Sequence, residues 1–293
     1  MLKTIMVVPC YNEANRLKLS AFRDYLLANR SLGFLFVNDG SQDQTLTILT
    51  EFCSSIPQQA YVIDLQKNQG KAEAVRRGIL AATSCRPEYV GFWDADLATP
   101  LSEIGIFCDL LDRRQDVDLV VGSRLSLLGH RVERKTYRRI LGRLFATAAS
   151  RVLSLGMRDT QCGAKLFRVN EQLNSVFQDP FYTRWILDVE ILARMIAIQK
   201  ASGGRSVRES IYEKPLEHWL DVDGSKLKFR DFITTTCDLA VIYWRFLGPF
   251  RRPVTSENRE PIQKLAPMFP STAPAVRIYD SGHRRAALQI QAT

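Results

Sequence analysis

Short apolar runs alternate with longer segments of helical periodicity through the first half of the chain. The strand-like runs are Thr4–Val8, Phe34–Val37, Tyr61–Leu65, Tyr89–Trp93 and Asp118–Val121. The segments between them that are predicted as helices are Leu17–Asn29, Gln44–Cys53, Lys71–Thr83 and Ser102–Arg114. Strands that alternate with helices of this length form βαβ units around a parallel sheet. We therefore predict an α/β fold with a mostly parallel sheet flanked by helices.

The second half of the chain is less regular. Its predicted elements are a helix-rich basic segment at Val132–Leu155, a strand at Ala164–Phe167, a helix at Ile186–Lys200 and a strand at Val207–Tyr212. We expect one domain over 1–231 and an amphipathic helix over 232–252, either packed on the domain or lying on a membrane surface. The proline-rich stretch 253–293 has few aromatic residues and is predicted to be a flexible tail.

Composition narrows the classes of partner. The chain has 293 residues and a net charge of +9, which favours anionic partners such as nucleotide or lipid phosphates. Its 6 cysteines form no CxxC pair, so we interpret them as reduced thiols of a cytoplasmic protein. We identify no signal peptide and no convincing membrane-spanning helix. No nucleic-acid-binding module is recognised either, so nucleic acid is not expected as a partner.

The apolar run that ends at Trp93 is followed by two carboxylates, Asp94 and Asp96. Open α/β sheets bind ligands at the carboxyl ends of their strands. If the strand continues, the i, i+2 spacing points both side chains the same way. Two adjacent carboxylates repel each other unless a cation lies between them, which suits Mg²⁺ or Mn²⁺ bridging a diphosphate. A solvated pair at the start of a loop is the alternative interpretation.

Polar residues follow the other early strands as well. Tyr11 and Glu13 follow the first strand, Asp39 follows the second, and Lys71 follows the third at the start of a helix. A lysine at a helix N-terminus suits an anion, although the segment lacks the P-loop pattern. Each loop alone could be an ordinary turn, but parallel strands bring all of them to one edge of the sheet.

Together these motifs resemble the inverting family 2 glycosyltransferases, which have the GT-A fold and use nucleotide-sugar donors. The motifs are VPCYNE from Val8, VNDGS from Val37, NQGK from Asn68, DAD from Asp94 and GSR from Gly122. The segments DTQCGAKLF from Asp159 and WILDVE from Trp185 are most similar to the polyprenyl (dolichyl) phosphate glucosyltransferase branch. The resemblance covers about Thr4 to Lys228.

The resemblance implies roles for individual residues. Donor-nucleotide contacts would come from Pro9, Tyr11, Glu13, Asp39, Lys71, Asp94 and Asp96, with Asp94 and Asp96 also binding the metal. Residues facing the donor sugar and phosphates would be Arg124 and Gln161, while Asp188 and Glu190 lie where many relatives keep the catalytic carboxylate. The acceptor phosphate would contact Arg131, Arg138, Ser225 and Lys226. Cys162 is expected to be structural because no neighbouring base activates it.

The resemblance also implies a reaction. Glucose would move from UDP-glucose to a polyprenyl or dolichyl phosphate, with the protein peripheral at the cytoplasmic face of a membrane. A lipid phosphate is already ionised near neutrality and needs cations rather than a base. The basic segment around Arg131 and Arg138, interleaved with apolar residues, would supply those cations and meet the membrane.

Other interpretations stay open at this stage. The donor could be GDP-mannose, or the acceptor a sugar hydroxyl, in which case Asp188 would act as an obligatory base. The basic segment could be a solvated helix face, and Asp188 could orient Arg184 or donor hydroxyls. A nucleic-acid-binding protein and a non-catalytic nucleotide-sugar sensor are further alternatives, the latter disfavoured by the intact Asp94 and Asp96 pair.

Overall fold

A computed structural model describes residues 1–125, 131–133, 136–183, 186–203, 205–220 and 229–249. Within 131–133, 136–144 and 229–236 it describes only the backbone, except that the side chain of Thr235 is also described. The strands are β1 Thr4–Cys10, β2 Leu32–Asp39, β3 Ala60–Leu65, β4 Tyr89–Phe92, β5 Leu119–Ser123, β6 Arg131–Glu133, β7 Lys165–Arg168, β8 Ile211–Pro215 and β9 His218–Leu220. The α-helices are α1 Leu19–Ala28, α2 Thr45–Ser55, α3 Lys71–Ser84, α4 Ser102–Arg113, α5 Thr136–Leu153, α6 Glu171–Gln178, α7 Leu187–Ser202, α8 Val207–Ser210 and α9 Phe229–Ile242. A π-helical turn over Tyr243–Leu247 follows α9.

The central sheet has 7 strands in the order β3-β2-β1-β4-β7-β5-β8. All neighbouring pairs are parallel except those of β7, which runs antiparallel to both β4 and β5. A smaller parallel pair joins β6 and β9. The predicted α/β fold with a mostly parallel sheet is confirmed, and the reversed β7 places its first residue at the edge where β4 ends.

Both faces of the sheet are buried beneath helices, so its strands are apolar on both sides. Met6 and Val8 of β1 pack with α1, α2 and α4 on one face. Ile5 and Val7 pack with α3, α6 and α7 on the other face. Gly78 of α3 lets that helix approach β1, since a Cβ there would come within 2.3 Å of Val7. The helices therefore hold the strand ends, and the loops that follow them, in fixed positions.

The structure corrects two predicted elements and adds one helix that was not predicted. The predicted strand Val207–Tyr212 begins too early, because β5 pairs from Leu119 with Ile211 and only the last two predicted residues belong to β8. The residues before Ile211 are not paired in the sheet. They form the short helix α8 instead. The segment beginning at Val132 is not helical from its start, because Arg131–Glu133 pairs with β9. Helix α6 was not predicted, although Asn170 caps it by accepting a hydrogen bond from Leu173 N at 2.9 Å.

The predicted C-terminal helix 232–252 overlaps a helix of the structure, and the predicted domain boundary at 231 stays a prediction. Helix α9 begins at Phe229, and with the π-helical turn it packs against α7. Among the described residues, no helix has both the length and the apolar character needed to cross a membrane. The predicted tail 253–293 lies outside the described residues.

Candidate active site

Five strand ends meet at one edge of the sheet and carry the predicted site. Strands β1, β2, β3 and β4 finish there, and β7 begins there, with Phe92 paired to Lys165. Tyr11 and Asp94 follow β1 and β4, Asp39 ends β2, and Lys71 begins the helix that follows β3. The four residues thus gather at the carboxyl edge of the parallel sheet, with Tyr11 and Asp94 on loops.

The two carboxylates lie on a tight turn. Strand β4 ends at Phe92, one residue before the predicted end at Trp93, so Asp94 and Asp96 do not share a strand face. Leu97 N donates to Asp94 O at 3.3 Å and Ala98 N donates to Asp96 Oδ1 at 3.1 Å. Leu97 has a φ of 54°, a left-handed conformation that a branched side chain rarely adopts. Such local strain is common at functional turns.

Charge is concentrated at this turn. Lys71 Nζ donates to Asp94 Oδ1 at 2.5 Å. Burial, and next the charge of Asp94, raise the pKa of Asp96 above the usual range of an aspartate. Burial lowers the pKa of Lys71, but Asp94, Asp188 and Asp96 outweigh it and raise that pKa. The carboxylates of Asp94 and Asp96 are therefore close enough to interact and favour a positive group between them.

These residues fit a divalent cation. Carboxylate oxygens are the ligands that Mg²⁺ and Mn²⁺ prefer. Within the described parts of the chain, no group of three or more His, Cys, Asp or Glu side chains converges as a metal site. A cation at Asp94 and Asp96 would therefore need further ligands from water or from a bound diphosphate.

The loops after β1 and β2 are tied together. Glu13 N donates to Thr45 Oγ1 at 2.8 Å, and Asn12 N donates to Ser41 Oγ at 2.9 Å. Arg16 Nε donates to Glu13 Oε2 at 2.8 Å, and its Nη2 lies 2.5 Å from Glu13 Oε1. Arg16 was missed from the sequence, although its position three residues after Glu13 was a usable signal. The predicted base or ribose contacts of Pro9, Tyr11 and Glu13 stay predictions.

Asp39 has a role that was not predicted. Its buried carboxylate accepts hydrogen bonds from Gln69 N at 2.7 Å and from Gly70 N at 2.8 Å. Gly70 has a φ of 96°, which L side chains rarely adopt, and α3 begins at the next residue. Asp39 therefore fixes the loop that presents Lys71. A contact between Asp39 and a nucleobase stays a prediction.

Arg124 is held in place by an acidic partner. Its Nε and Nη2 donate to Asp159 Oδ2 and Oδ1 at 2.7 and 2.8 Å. Asp159 N in turn donates to Glu213 Oε1 at 2.7 Å, which ties the loop to β8. The indole of Trp219 lies 5.6 Å from the guanidinium. The hydrogen bonds to Asp159 therefore orient the guanidinium of Arg124, on which the charge of Asp94 also acts.

Asp188 forms a buried ion pair with Lys165. Lys165 Nζ donates to Asp188 Oδ1 at 2.5 Å, to Cys162 O at 2.8 Å and to Thr160 O at 3.3 Å. The lysine side chain is fully buried and that of Asp188 is 6% exposed. The ammonium thus joins α7 to the loop that carries Gln161. Lys165 was missed because lysine is rarely buried, and an apolar strand context hid it.

The other acidic candidate on α7 makes structural contacts. Glu190 is fully buried and accepts hydrogen bonds from Tyr182 N, Thr183 N and Arg194 Nη2. Its oxygens hold the loop before α7, and a catalytic role for Glu190 stays a prediction. Arg184, considered as a partner of Asp188, lies outside the described residues.

The remaining predicted residues are only partly described. Half-buried Gln161 donates its backbone N–H to Asp159 Oδ1 at 3.2 Å. Burial raises the pKa of the Cys162 thiol to about 11, which agrees with a structural role. The backbone of Arg131 pairs with His218 in β9, and β9 is tied to the Asp94 turn by Leu220 N donating to Ala98 O. The side chains of Arg131 and Arg138, and all of Ser225 and Lys226, lie outside the described residues.

Comparison with known proteins identifies the class. A family profile described as glycosyl transferase family 2 matches residues 5–171. The chain belongs to glycosyl transferase family 2, and it is a glycosyltransferase with a GT-A α/β fold. Solved structures agree in fold: glucosyl-3-phosphoglycerate synthase from Mycobacterium tuberculosis in complex with UDP superposes with a TM-score of 0.58 at 16% identity, covering 83% of this chain and 80% of that chain.

Within the family, the chain is similar to curated relatives that share one name. Dolichyl-phosphate beta-glucosyltransferase of Dictyostelium discoideum is 31% identical over 259 residues, which cover 83% of this chain and 74% of the relative. The human enzyme of the same name is 32% identical over 260 residues, 83% of this chain and 75% of the relative. A second form of the mycobacterial synthase, in complex with Mn²⁺ and UDP-glucose, has a TM-score of 0.57 at 16% identity, covering 83% of this chain and 78% of that one.

Proposed function

We propose that this glycosyltransferase transfers glucose from UDP-glucose to a polyprenyl or dolichyl phosphate with inversion at the anomeric carbon. The names of its relatives support the sugar and the acceptor. A structural neighbour with UDP-glucose and Mn²⁺ is in keeping with the donor, although at that identity it argues for fold alone. The residues that would hold the cation are Asp94 and Asp96.

The observation that carries the choice of acceptor is the ion pair between Asp188 and Lys165. The carboxylate of Asp188 accepts a hydrogen bond from a fully buried ammonium at 2.5 Å and balances its charge, so it is already engaged as a counter-ion. A sugar hydroxyl needs a base to remove its proton. A phosphate monoester is already ionised near neutrality, so its oxygen can attack without one.

The reaction then depends on positive groups placed beside the departing diphosphate. An oxygen of the acceptor phosphate forms a bond to the anomeric carbon of glucose while the bond to the β-phosphate oxygen of UDP breaks. Negative charge grows on the departing diphosphate, and a bound divalent cation would supply a Lewis acid there. Lys71 lies at the same turn, and it and the oriented Arg124 would stabilise that charge from the protein side.

We also propose that the protein works at the cytoplasmic surface of a membrane. Three aromatic side chains near the π-helical turn are exposed: Tyr182 by 49%, Tyr243 by 39% and Trp244 by 53%. Arg245 stacks on Tyr182 at 3.8 Å, so a cation accompanies the aromatic group. Aromatic side chains next to a basic residue suit the headgroup region of a bilayer. All 6 cysteines are free, as expected in a reducing compartment.

The transfer is tested by incubating purified protein with Mn²⁺, radiolabelled UDP-glucose and a short polyprenyl phosphate, and measuring label in the organic phase. Asp96→Ala should lose the activity, and Asp24→Ala, a carboxylate removed from the exposed face of α1, should keep it. Label from GDP-mannose alone would correct the donor. Transfer to a free polyprenol but not to its phosphate would overturn the acceptor.

Membrane placement has its own test. Co-sedimentation with vesicles of phosphatidylcholine and phosphatidylserine should retain the wild-type protein. Trp244→Ala and Tyr243→Ala should weaken retention, whereas Leu27→Ala removes an exposed apolar side chain from α1 and should not. Equal retention of all variants would show that the exposed aromatic side chains do not hold the protein on the membrane.

A further inference from the structure

Lys71 places its ammonium among three acidic side chains. Its Nζ lies 2.5 Å from Asp94 Oδ1, and the side chains of Lys71 and Asp94 are 31% and 36% exposed. The charges of Asp94, Asp188 and Asp96 all act on this one ammonium. Asp188 already has a counter-ion in Lys165, so the charge that Lys71 balances directly is that of Asp94.

The backbone before Lys71 is clamped. Asp39 holds Gln69 N and Gly70 N, and α3 starts at Lys71 itself. The Cα of Lys71 is therefore fixed, while the four-carbon side chain keeps its rotational freedom. Only the ammonium can change partner without moving the loop.

The ammonium and a divalent cation need the same oxygens. No group of three or more potential ligating side chains converges in the described parts of the chain, so a cation at Asp94 depends on oxygens from the donor diphosphate. A lysine on Asp94 repels a cation there and blocks one of its ligands. An arriving diphosphate offers the ammonium a different anionic partner, close to the N-terminus of α3.

We propose, on the basis of the proposed metal-dependent function, that Lys71 competes with the divalent cation for Asp94. Lys71 releases Asp94 when the donor diphosphate binds. Lys71 then contacts the diphosphate, and Asp94 becomes a metal ligand. Binding of the cation and binding of the nucleotide are thereby coupled through one side chain, and the coupling is reciprocal. A cation without a nucleotide binds weakly, so the site stays free until the cation and the donor nucleotide bind together.

The test measures Mn²⁺ binding directly, from the electron paramagnetic resonance signal of free Mn²⁺ with and without UDP. Wild-type protein should bind Mn²⁺ weakly alone and at least about ten-fold more tightly with UDP. Lys71→Met should bind Mn²⁺ alone roughly ten-fold more tightly than the wild type, because a nearby positive charge and a competing ligand are removed. The enhancement by UDP should shrink accordingly.

Matched variants separate this mechanism from a general charge effect. Lys71→Arg keeps the charge and should retain weak binding of Mn²⁺ alone. Lys67→Met removes an exposed lysine from the same loop and should behave as wild type. Thermal unfolding monitors folding, and Lys71→Gln repeats the measurement if Lys71→Met does not fold.

Two results would overturn the inference. If Lys71→Met binds Mn²⁺ alone no more tightly than the wild type, while Asp96→Ala abolishes binding with UDP, the metal site stands and the competition by Lys71 does not. If UDP fails to enhance Mn²⁺ binding in the wild type and Asp96→Ala changes nothing, the proposed metal-dependent function fails together with the inference.

Discussion

Gly163 lies directly against the carboxylate of Asp94. A Cβ at position 163 would come within 1.8 Å of Asp94 Oδ2 and 2.3 Å of Asp94 Cγ. Atoms cannot approach so closely, so any side chain at this position displaces the carboxylate that Lys71 holds. The loop before β7 thus forms a wall of the site, and glycine is required there by space.

We expect Gly163→Ala to lower the transfer rate by about 100-fold or more, since displacing a site group by an ångström has effects of that size. Mn²⁺ binding in the presence of UDP should weaken in parallel. Gly105→Ala is the matched control, because its Cβ would meet nothing nearer than Tyr25 Oη at 3.7 Å. It should keep full activity and stabilise α4 by about 0.5–1 kcal/mol. Normal activity in Gly163→Ala would contradict the contact.

The ion pair between Lys165 and Asp188 should dominate the stability of the region. Removing either partner leaves a buried charge unpaired, so Lys165→Met and Asp188→Asn should each lower the free energy of unfolding by about 3–5 kcal/mol. The double variant Lys165→Met with Asp188→Asn should lose less than the sum of the two single losses. Urea denaturation measures all three. If the two single losses simply add in the double variant, the pair is not coupled.

The ionised carboxylate of Asp96 should lower the stability of the fold while serving the proposed metal site. Its pKa is raised in the folded protein by burial and by Asp94, so the native state binds the proton more tightly than the unfolded chain. At neutral pH the ionised carboxylate therefore costs stability. The cost shrinks as the pH falls through the raised folded pKa and is gone below the ordinary pKa of an unfolded aspartate. Asp96→Asn should raise the midpoint of thermal unfolding at neutral pH while abolishing Mn²⁺ binding. A lower midpoint would show that the carboxylate is stabilising.

Glu73 should give the opposite dependence on pH. Burial raises its pKa, but hydrogen bonds and charge from Arg76, then Arg77, outweigh this and lower the pKa below the ordinary value of 4.5. Its stabilisation is therefore present above that value and lost as the pH falls through the lowered pKa. Glu73→Gln should cost about 1–3 kcal/mol at neutral pH and almost nothing in strong acid.

Urea denaturation at several pH values measures that difference. Glu51→Gln, an exposed position on α2, should show no comparable loss at any pH. A constant deficit of Glu73→Gln across the whole range would mean that shape, rather than charge, is responsible.

Much of the sheet could be predicted from the sequence, as could the polar residues at the edge where β1, β2, β3 and β4 end. Buried strands such as Tyr89–Phe92 are continuous apolar runs, and the polar residues that follow them, such as Asp94 and Lys71, are set by strand direction. Local patterns carry this information because each βα unit is short in sequence.

The remaining features depend on contacts between distant segments. Nothing local distinguishes the reversed direction of β7 from a parallel strand, and its Lys165 looks like an exposed residue until α7 supplies Asp188. The pairing of Arg124 with Asp159 and the failure of Val207 to start a strand have the same origin. In each case a partner far along the chain decides the outcome.

The reversed β7 also bears on the order of folding. It lies between β4 and β5, so the centre of the sheet closes only when Lys165 pairs with Phe92 and Val121. Contacts between residues so far apart in sequence require closing a long loop and form slowly. We therefore expect the capacity to bind the proposed donor to return last during refolding, after most of the helical signal has been regained. A chain arrested before that step would look nearly native by circular dichroism and be inert.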